Sequence, residues 1–184
     1  IYIYRRPEGS LTFNETPDQI ISNPDKSTGN TFFGQGLGLN SDGSILVANS
    51  VNRIQTYQYD GTSYNLLHSL STAVQFRGCD ISSDSQKLVA YGPHGDSNGT
   101  IRSWTWDGSA WVESNSYTMT TNYGNNMSIS MSNKNLIAVG EIGQYSGTNR
   151  VSFLDWDGST WVPRPVTLES VYGASSNWTI NQGW

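Results

Sequence analysis

Cysteine is almost missing from this chain, and charge is scarce. A lone Cys79 among 184 residues excludes an internal disulfide framework. Its neighbours Gly78 and Ile81 place it in a repeated strand, so it is expected to be a small buried hydrophobe and not a reactive thiol. Charged residues make up 14% and the formal net charge is -5, which speaks against nucleic acid or an anionic membrane surface as a partner. No run is long and apolar enough to cross a bilayer, so membrane insertion is not expected, and the first residues do not form a signal peptide. There are two histidines, His68 and His94, neither with a cysteine or carboxylate at ligand spacing, so no metal site is expected. Phosphate-binding and dinucleotide-binding glycine patterns are missing, as is a nucleophile elbow; no cofactor and no catalytic residue is expected. The chain lacks an initiator methionine and opens inside what reads as a strand, Ile1-Tyr2-Ile3-Tyr4, which suggests a processed product or an excerpt.

What is abundant is turn and strand material. Gly occurs 19 times, aromatics reach 12%, and Ser, Thr and Asn fill much of the rest. That is the composition of short strands joined by many turns, and it is too aromatic for a disordered chain. Four Asn-x-Ser/Thr sequons begin at Asn14, Asn98, Asn126 and Asn177, a number that this composition produces by chance.

One hairpin is written three times. It reads Tyr59-Asp60-Gly61-Thr62-Ser63-Tyr64, then Trp106-Asp107-Gly108-Ser109-Ala110-Trp111, then Trp156-Asp157-Gly158-Ser159-Thr160-Trp161. Asp-Gly tolerates the positive φ of a tight turn, and the flanking aromatics can pair across the two strands. The three aspartates could suggest acid-base chemistry, but the turn itself explains Asp60, Asp107 and Asp157.

Other features fall into phase with the hairpins. Upstream of each lies an apolar run: Ile45-Leu46-Val47-Ala48, Leu88-Val89-Ala90-Tyr91 and Leu136-Ile137-Ala138-Val139. Continuous hydrophobicity in so short a segment predicts a strand covered on both faces. Ahead of each run is a further strand, and ahead of that an opening aromatic: Phe33-Gly34, Phe76-Arg77 and Tyr123-Gly124. The unit is therefore four strands, A to D, with strand C leading into the Asp-Gly turn and strand D out of it. Successive Asp-Gly turns are 47 and 50 residues apart. Four strands in that length is the period of a β-propeller blade.

The expected fold is all-β, a propeller arc of four-stranded antiparallel blades, three complete and two partial. Residues 1–20 supply strands C and D of a partial blade, with Leu11-Thr12-Phe13 as its strand D. Complete blades span 33–70, 76–119 and 123–168, and 172–184 holds strand A of a further blade, with Trp178-Thr179-Ile180-Asn181 in phase. Joining the two partial units leaves a blade without its strand B, so the remainder is expected from a larger parent propeller or from another protein chain.

With its Phe-Gly openings, Ser-Asp-Gly turn, Tyr91-Gly92-Pro93 strand end and Trp-Asp-Gly-Ser-x-Trp hairpin, the chain resembles a degenerate FG-GAP or WD-repeat-like propeller. The resemblance implies a calcium loop after strand A in FG-GAP blades. Here Asp42 and Asp84 stand almost alone and the third copy has Asn133, so calcium is not expected. Proteins similar in this way are common at cell surfaces and on virus and phage particles. A non-catalytic scaffold for protein binding, adhesion or assembly in such an extracellular or virion setting is the leading expectation. A carbohydrate-binding, lectin-like propeller is the alternative, with a glycan hydrolase or lyase third. The in-phase tryptophans are expected to pack within blades. The less regular positions Trp104, Tyr145, Arg150 and Trp178 are the candidate ligand contacts.

Overall fold

The computed structural model describes residues 1–24, 32–72, 74–93, 99–119, 127–133, 135–141 and 150–169. Among them there are strands and turns only. A short pair, β1 (Tyr2–Ile3) and β2 (Gln19–Ile20), precedes three four-stranded sheets. The first sheet is β3 (Leu37–Leu39), β4 (Ile45–Ser50), β5 (Arg53–Tyr59) and β6 (Tyr64–Ser71). The second is β7 (Gly78–Ile81), β8 (Lys87–Pro93), β9 (Gly99–Trp106) and β10 (Trp111–Thr118). The third is β11 (Met127–Asn133), β12 (Leu136–Glu141), β13 (Arg150–Trp156) and β14 (Trp161–Glu169). Each sheet runs through its strands in chain order, every neighbour antiparallel, as a four-stranded meander.

Stacking of the sheets follows from strand B. In β4, Leu46 and Ala48 pack with Ile21 and Tyr57 on the side of the N-terminal pair, whereas Val47 joins Phe76, Cys79, Ile81 and Leu88. In β8, Leu88 and Ala90 turn back to the first sheet while Val89 and Tyr91 turn onward to Met131, Ile137 and Val139. Side chains alternate across a strand, so an unbroken apolar run is what two covered faces require. The second sheet thus shares one core with the first sheet and another with the third, and the first shares a smaller one with the N-terminal pair. No such core exists in an isolated blade.

Strand A lines the place where successive sheets approach most closely. A side chain on Gly36 would reach backbone atoms of Gly78 and Cys79, and one on Gly38 would strike Asp80. Asp80 in turn accepts the Met131 N–H at 2.7 Å and the Ile81 N–H at 2.8 Å, tying the second A strand to the third. Cys79 is buried, and burial pushes its thiol far above the ordinary range, as expected of a packing residue.

The first partial unit departs from the sequence expectation. Strand D of that unit is not Leu11-Thr12-Phe13, whose Leu11 is 92% exposed, but Gln19–Ile20, which pairs with β1. Gly9 at φ 75° turns the chain and Ser10 N–H bonds Pro7 C=O at 3.0 Å, so a turn does form where expected. The chain then takes a longer path back. Gln19 fixes its end, accepting the Tyr64 N–H at 2.7 Å and donating to the Tyr64 C=O at 2.8 Å.

A polar pair at the two inter-sheet cores gives a sharp test. Trp161 donates its buried indole N–H to Ser103 Oγ at 3.1 Å. At the matching place one sheet earlier, Trp111 Nε1 and Thr56 Oγ1 are both buried and neither has a hydrogen-bond partner among the described residues. Ser103→Ala is expected to destabilise by about 1–3 kcal/mol, because it orphans a buried donor. Thr56→Val removes a hydroxyl that bonds nothing and is expected to stay within about 1 kcal/mol of the unmodified chain. Urea unfolding of the two variants checks this, and equal losses would contradict it.

Candidate functional site

Each Asp-Gly hairpin is closed by an aromatic pair, Tyr59 with Tyr64, Trp106 with Trp111 and Trp156 with Trp161, at ring separations of 5.2, 5.3 and 5.2 Å. Only the glycines take the left-handed conformation, at φ 98°, 103° and 111° for Gly61, Gly108 and Gly158. The aspartates act through their carboxylates. Asp107 Oδ1 accepts the backbone N–H groups of Ser109 and Ala110, both at 2.8 Å, and Asp60 and Asp157 repeat the arrangement.

Those bonds favour the ionised form. The N–H of Ser63, Ala110 or Thr160, followed by that of Thr62, Ser109 or Ser159, holds Asp60, Asp107 and Asp157 below the usual carboxylate value. A folded value below the unfolded one contributes stability that is present at neutral pH and lost as pH falls through the folded value. Asp80 works in the opposite sense: burial raises its carboxyl, so the fold gains stability as pH falls through that raised value. Changing Asp60, Asp107 and Asp157 together to Asn is expected to lower the melting temperature at pH 7, with the gap closing towards pH 3. Melts followed by circular dichroism across that range measure it; a gap that is constant with pH would remove the carboxylates from the account.

The hairpin aromatics also reach the preceding sheet. Trp111 belongs to the core that Ile45, at the start of β4, packs against, and the Trp106 ring lies 5.0 Å from His68 of β6. Lys87, at the start of β8, sets its ammonium 3.3 Å from the centre of the Trp156 ring and 5.3 Å from that of Trp161. Arg5 lies 4.5 Å over the Tyr59 ring. The repeated hairpin is therefore a strap between neighbouring sheets as well as a turn within one, which goes beyond the intra-blade packing read from the sequence.

The candidate contact residues fare differently. Trp104 is 4% exposed and meets Phe76 edge-on at 5.8 Å, inside the core shared by the first two sheets. That is a correction: its ring offers no face to a ligand. Tyr145 and Trp178 lie outside the described residues, and Arg150 enters only through its backbone, which opens β13 opposite Glu141 and Glu169.

A cavity that sequence reading did not find lies between β1 and the first sheet. It measures about 550 Å³, with Tyr2, Ile3, Leu37, Leu39, Leu46 and Tyr64 on its walls. Tyr64 donates its hydroxyl to the Gly43 C=O at 2.5 Å, and burial raises its phenol above the ordinary value. Asp42 at the rim is held low by Ser44, whose N–H it accepts at 2.8 Å. The signal available in the sequence was the missing strand B of the partial unit, which leaves part of the first sheet without a cover.

No family model matches the chain, and no curated protein does. Solved structures do. One similar structure is the hydrazine synthase of Kuenenia stuttgartiensis, with a TM-score of 0.54 and 17% identity over 71% of this chain and 42% of that one. Another, described as a putative 6-phosphogluconolactonase of Bacteroides uniformis, has a TM-score of 0.55 and 11% identity over 91% of this chain and 50% of that one. The Kluyveromyces lactis protein Hsv2 matches at a TM-score of 0.50 and 13% identity over 72% of this chain and 46% of that one. The chain thus spans half or less of the length of each of these proteins. At such identities the likeness carries the fold alone: an all-β arc of four-stranded antiparallel blades of the propeller type.

Proposed function

We propose that this arc is a non-catalytic scaffold that binds other protein chains, of FG-GAP-like type and displayed at a cell or virion surface. The observation that carries the reading is how the chemistry-bearing residues are used. The three hairpin aspartates hold turn N–H groups, the in-phase tryptophans strap neighbouring blades, Cys79 is sealed in a core, and His68 stacks 5.0 Å from Trp106. What is left for recognition is an arc of sheets with polar, weakly charged turns, the kind of surface that loops on a fixed framework make selective. WD-repeat-like propellers among the similar structures support the reading by analogy of fold, and no more than that.

The test runs three measurements on one preparation: immunolabelling of intact cells or particles, a glycan array, and turnover of a polysaccharide panel. Surface label without turnover and without a selected sugar is expected. Sugar-specific binding would move the assignment to a lectin-like propeller, and turnover that follows the protein through purification would move it to an enzyme.

A further inference from the structure

We propose that the groove between β1 and β3 receives the two inner strands, A and B, of a further blade, entering as an antiparallel hairpin from polypeptide beyond the described residues. Three observations converge on this occupant. The first is internal equivalence. Leu37 and Leu39 pair with Ala48 and Leu46, as Cys79 and Ile81 pair with Ala90 and Leu88. In the second sheet those positions are 2% and 1% exposed, because the inner strands of the first sheet cover them; Leu37 and Leu39 are 48% and 54% exposed.

The second observation is a free strand edge. β1 pairs only with β2 among the described residues. Ile1 exchanges bonds with Ile21, Ile3 C=O accepts from Asp18 N–H, and Arg5 N–H reaches Asp18 Oδ2. Backbone groups alternate along a strand, so those of Tyr2 and Tyr4 point to the opposite edge, into the groove. The third is that β1 is a strand C by sequence phase, with β2 pairing to it in the place of strand D, and strand B is what pairs with strand C in each complete sheet. An apolar floor with a row of open N–H and C=O groups above it takes an extended strand, through backbone pairing and alternate side chains together. A compact ligand would satisfy the floor and leave the edge open.

The experiment supplies the missing hairpin. The chain is extended ahead of Ile1 with a copy of its own residues 74–92, the A–B hairpin of the second sheet, followed by a Val-Asn turn like that at Val51 and Asn52. Amide exchange at Tyr2 and Tyr4 is expected to slow by about tenfold or more, because those groups become paired. The melting temperature is expected to rise by roughly 5 °C, and Leu39→Asp in the extended chain is expected to abolish the rise. Should the extension fail to fold, the same hairpin added as a free peptide is read through the same two amides. Unchanged exchange in both formats overturns the proposal. So does an unmodified chain that is a dimer by light scattering and becomes a monomer on Leu39→Asp, since the occupant is then a second copy; a monomer protected by the hairpin supports it.

Discussion

Asn49→Ala is expected to destabilise the protein by roughly 3 kcal/mol, which for a chain of this size lowers the melting temperature by on the order of 10 °C. Asn49 is fully buried on β4. Its Oδ1 accepts the Gly36 N–H at 2.5 Å, and its Nδ2 donates to the Phe76 C=O at 2.6 Å. One side chain therefore satisfies a donor entering the first sheet and an acceptor entering the second. Truncation leaves two backbone polar groups without partners in a place water reaches poorly, and each such orphan costs about 1–3 kcal/mol. Asn49→Asp separates the two bonds: it keeps the acceptor for Gly36, loses the donor to Phe76, and buries a charge. That variant should be worse than Asn49→Ala at pH 7 and improve as the pH falls into the carboxylate range. Urea unfolding at the two pH values measures both. A loss below 1 kcal/mol for Asn49→Ala would show that water replaces the amide, and that Asn49 does not hold the first two sheets together.

Nothing in the repeat pattern announces Asn49. By cross-strand register with β5, β9 and β13, the same position holds Tyr91 in the second sheet and Gly140 in the third, so the repeat that reveals strand B cannot reveal what its end does. Features with a short sequence period were legible: the hairpins, the apolar B strands and the order of the four strands all come from local spacing. Trp104 shows a signal that was present and passed over. It lies three residues before Asp107, as Tyr57 lies before Asp60 and Leu154 before Asp157, and all three are buried. Its side chain is in phase with core residues even though no other copy has tryptophan there. The path from Gly9 to β2 was not legible, because a partial unit has lost the neighbours that set its register. The cavity beside β1 is a consequence of the same loss: exposure of Leu37 and Leu39 depends on strands that are not their own.

Gly36→Ala is the harsher perturbation of the same junction, expected to cost about 3 kcal/mol or more and to loosen one blade from the next. The added Cβ would lie 2.6 Å from the Cys79 nitrogen and 2.7 Å from the Gly78 Cα, with Asn49 Oδ1 at 2.9 Å. A flexible side chain could swing aside; two backbone atoms of a paired strand can yield only if the second sheet moves away from the first. That movement would open the core holding Val47, Phe76, Ile81 and Leu88. Gly61→Ala makes the control. A Cβ there meets nothing within 4 Å, so its cost comes from φ 98° alone, about 1–2 kcal/mol, and stays within one hairpin. The two variants therefore differ in kind. Stability in stacked repeats is a sum of unit terms and neighbour terms, and cooperativity depends on the neighbour terms. Gly36→Ala attacks a neighbour term: its urea transition should broaden, with fluorescence from the tryptophans of the second and third sheets separating from the far-ultraviolet signal. Gly61→Ala should shift the midpoint and leave the slope unchanged. If Gly36→Ala also keeps its slope, the sheets do not unfold as coupled neighbours, and the claim that each blade is completed by the next fails with it.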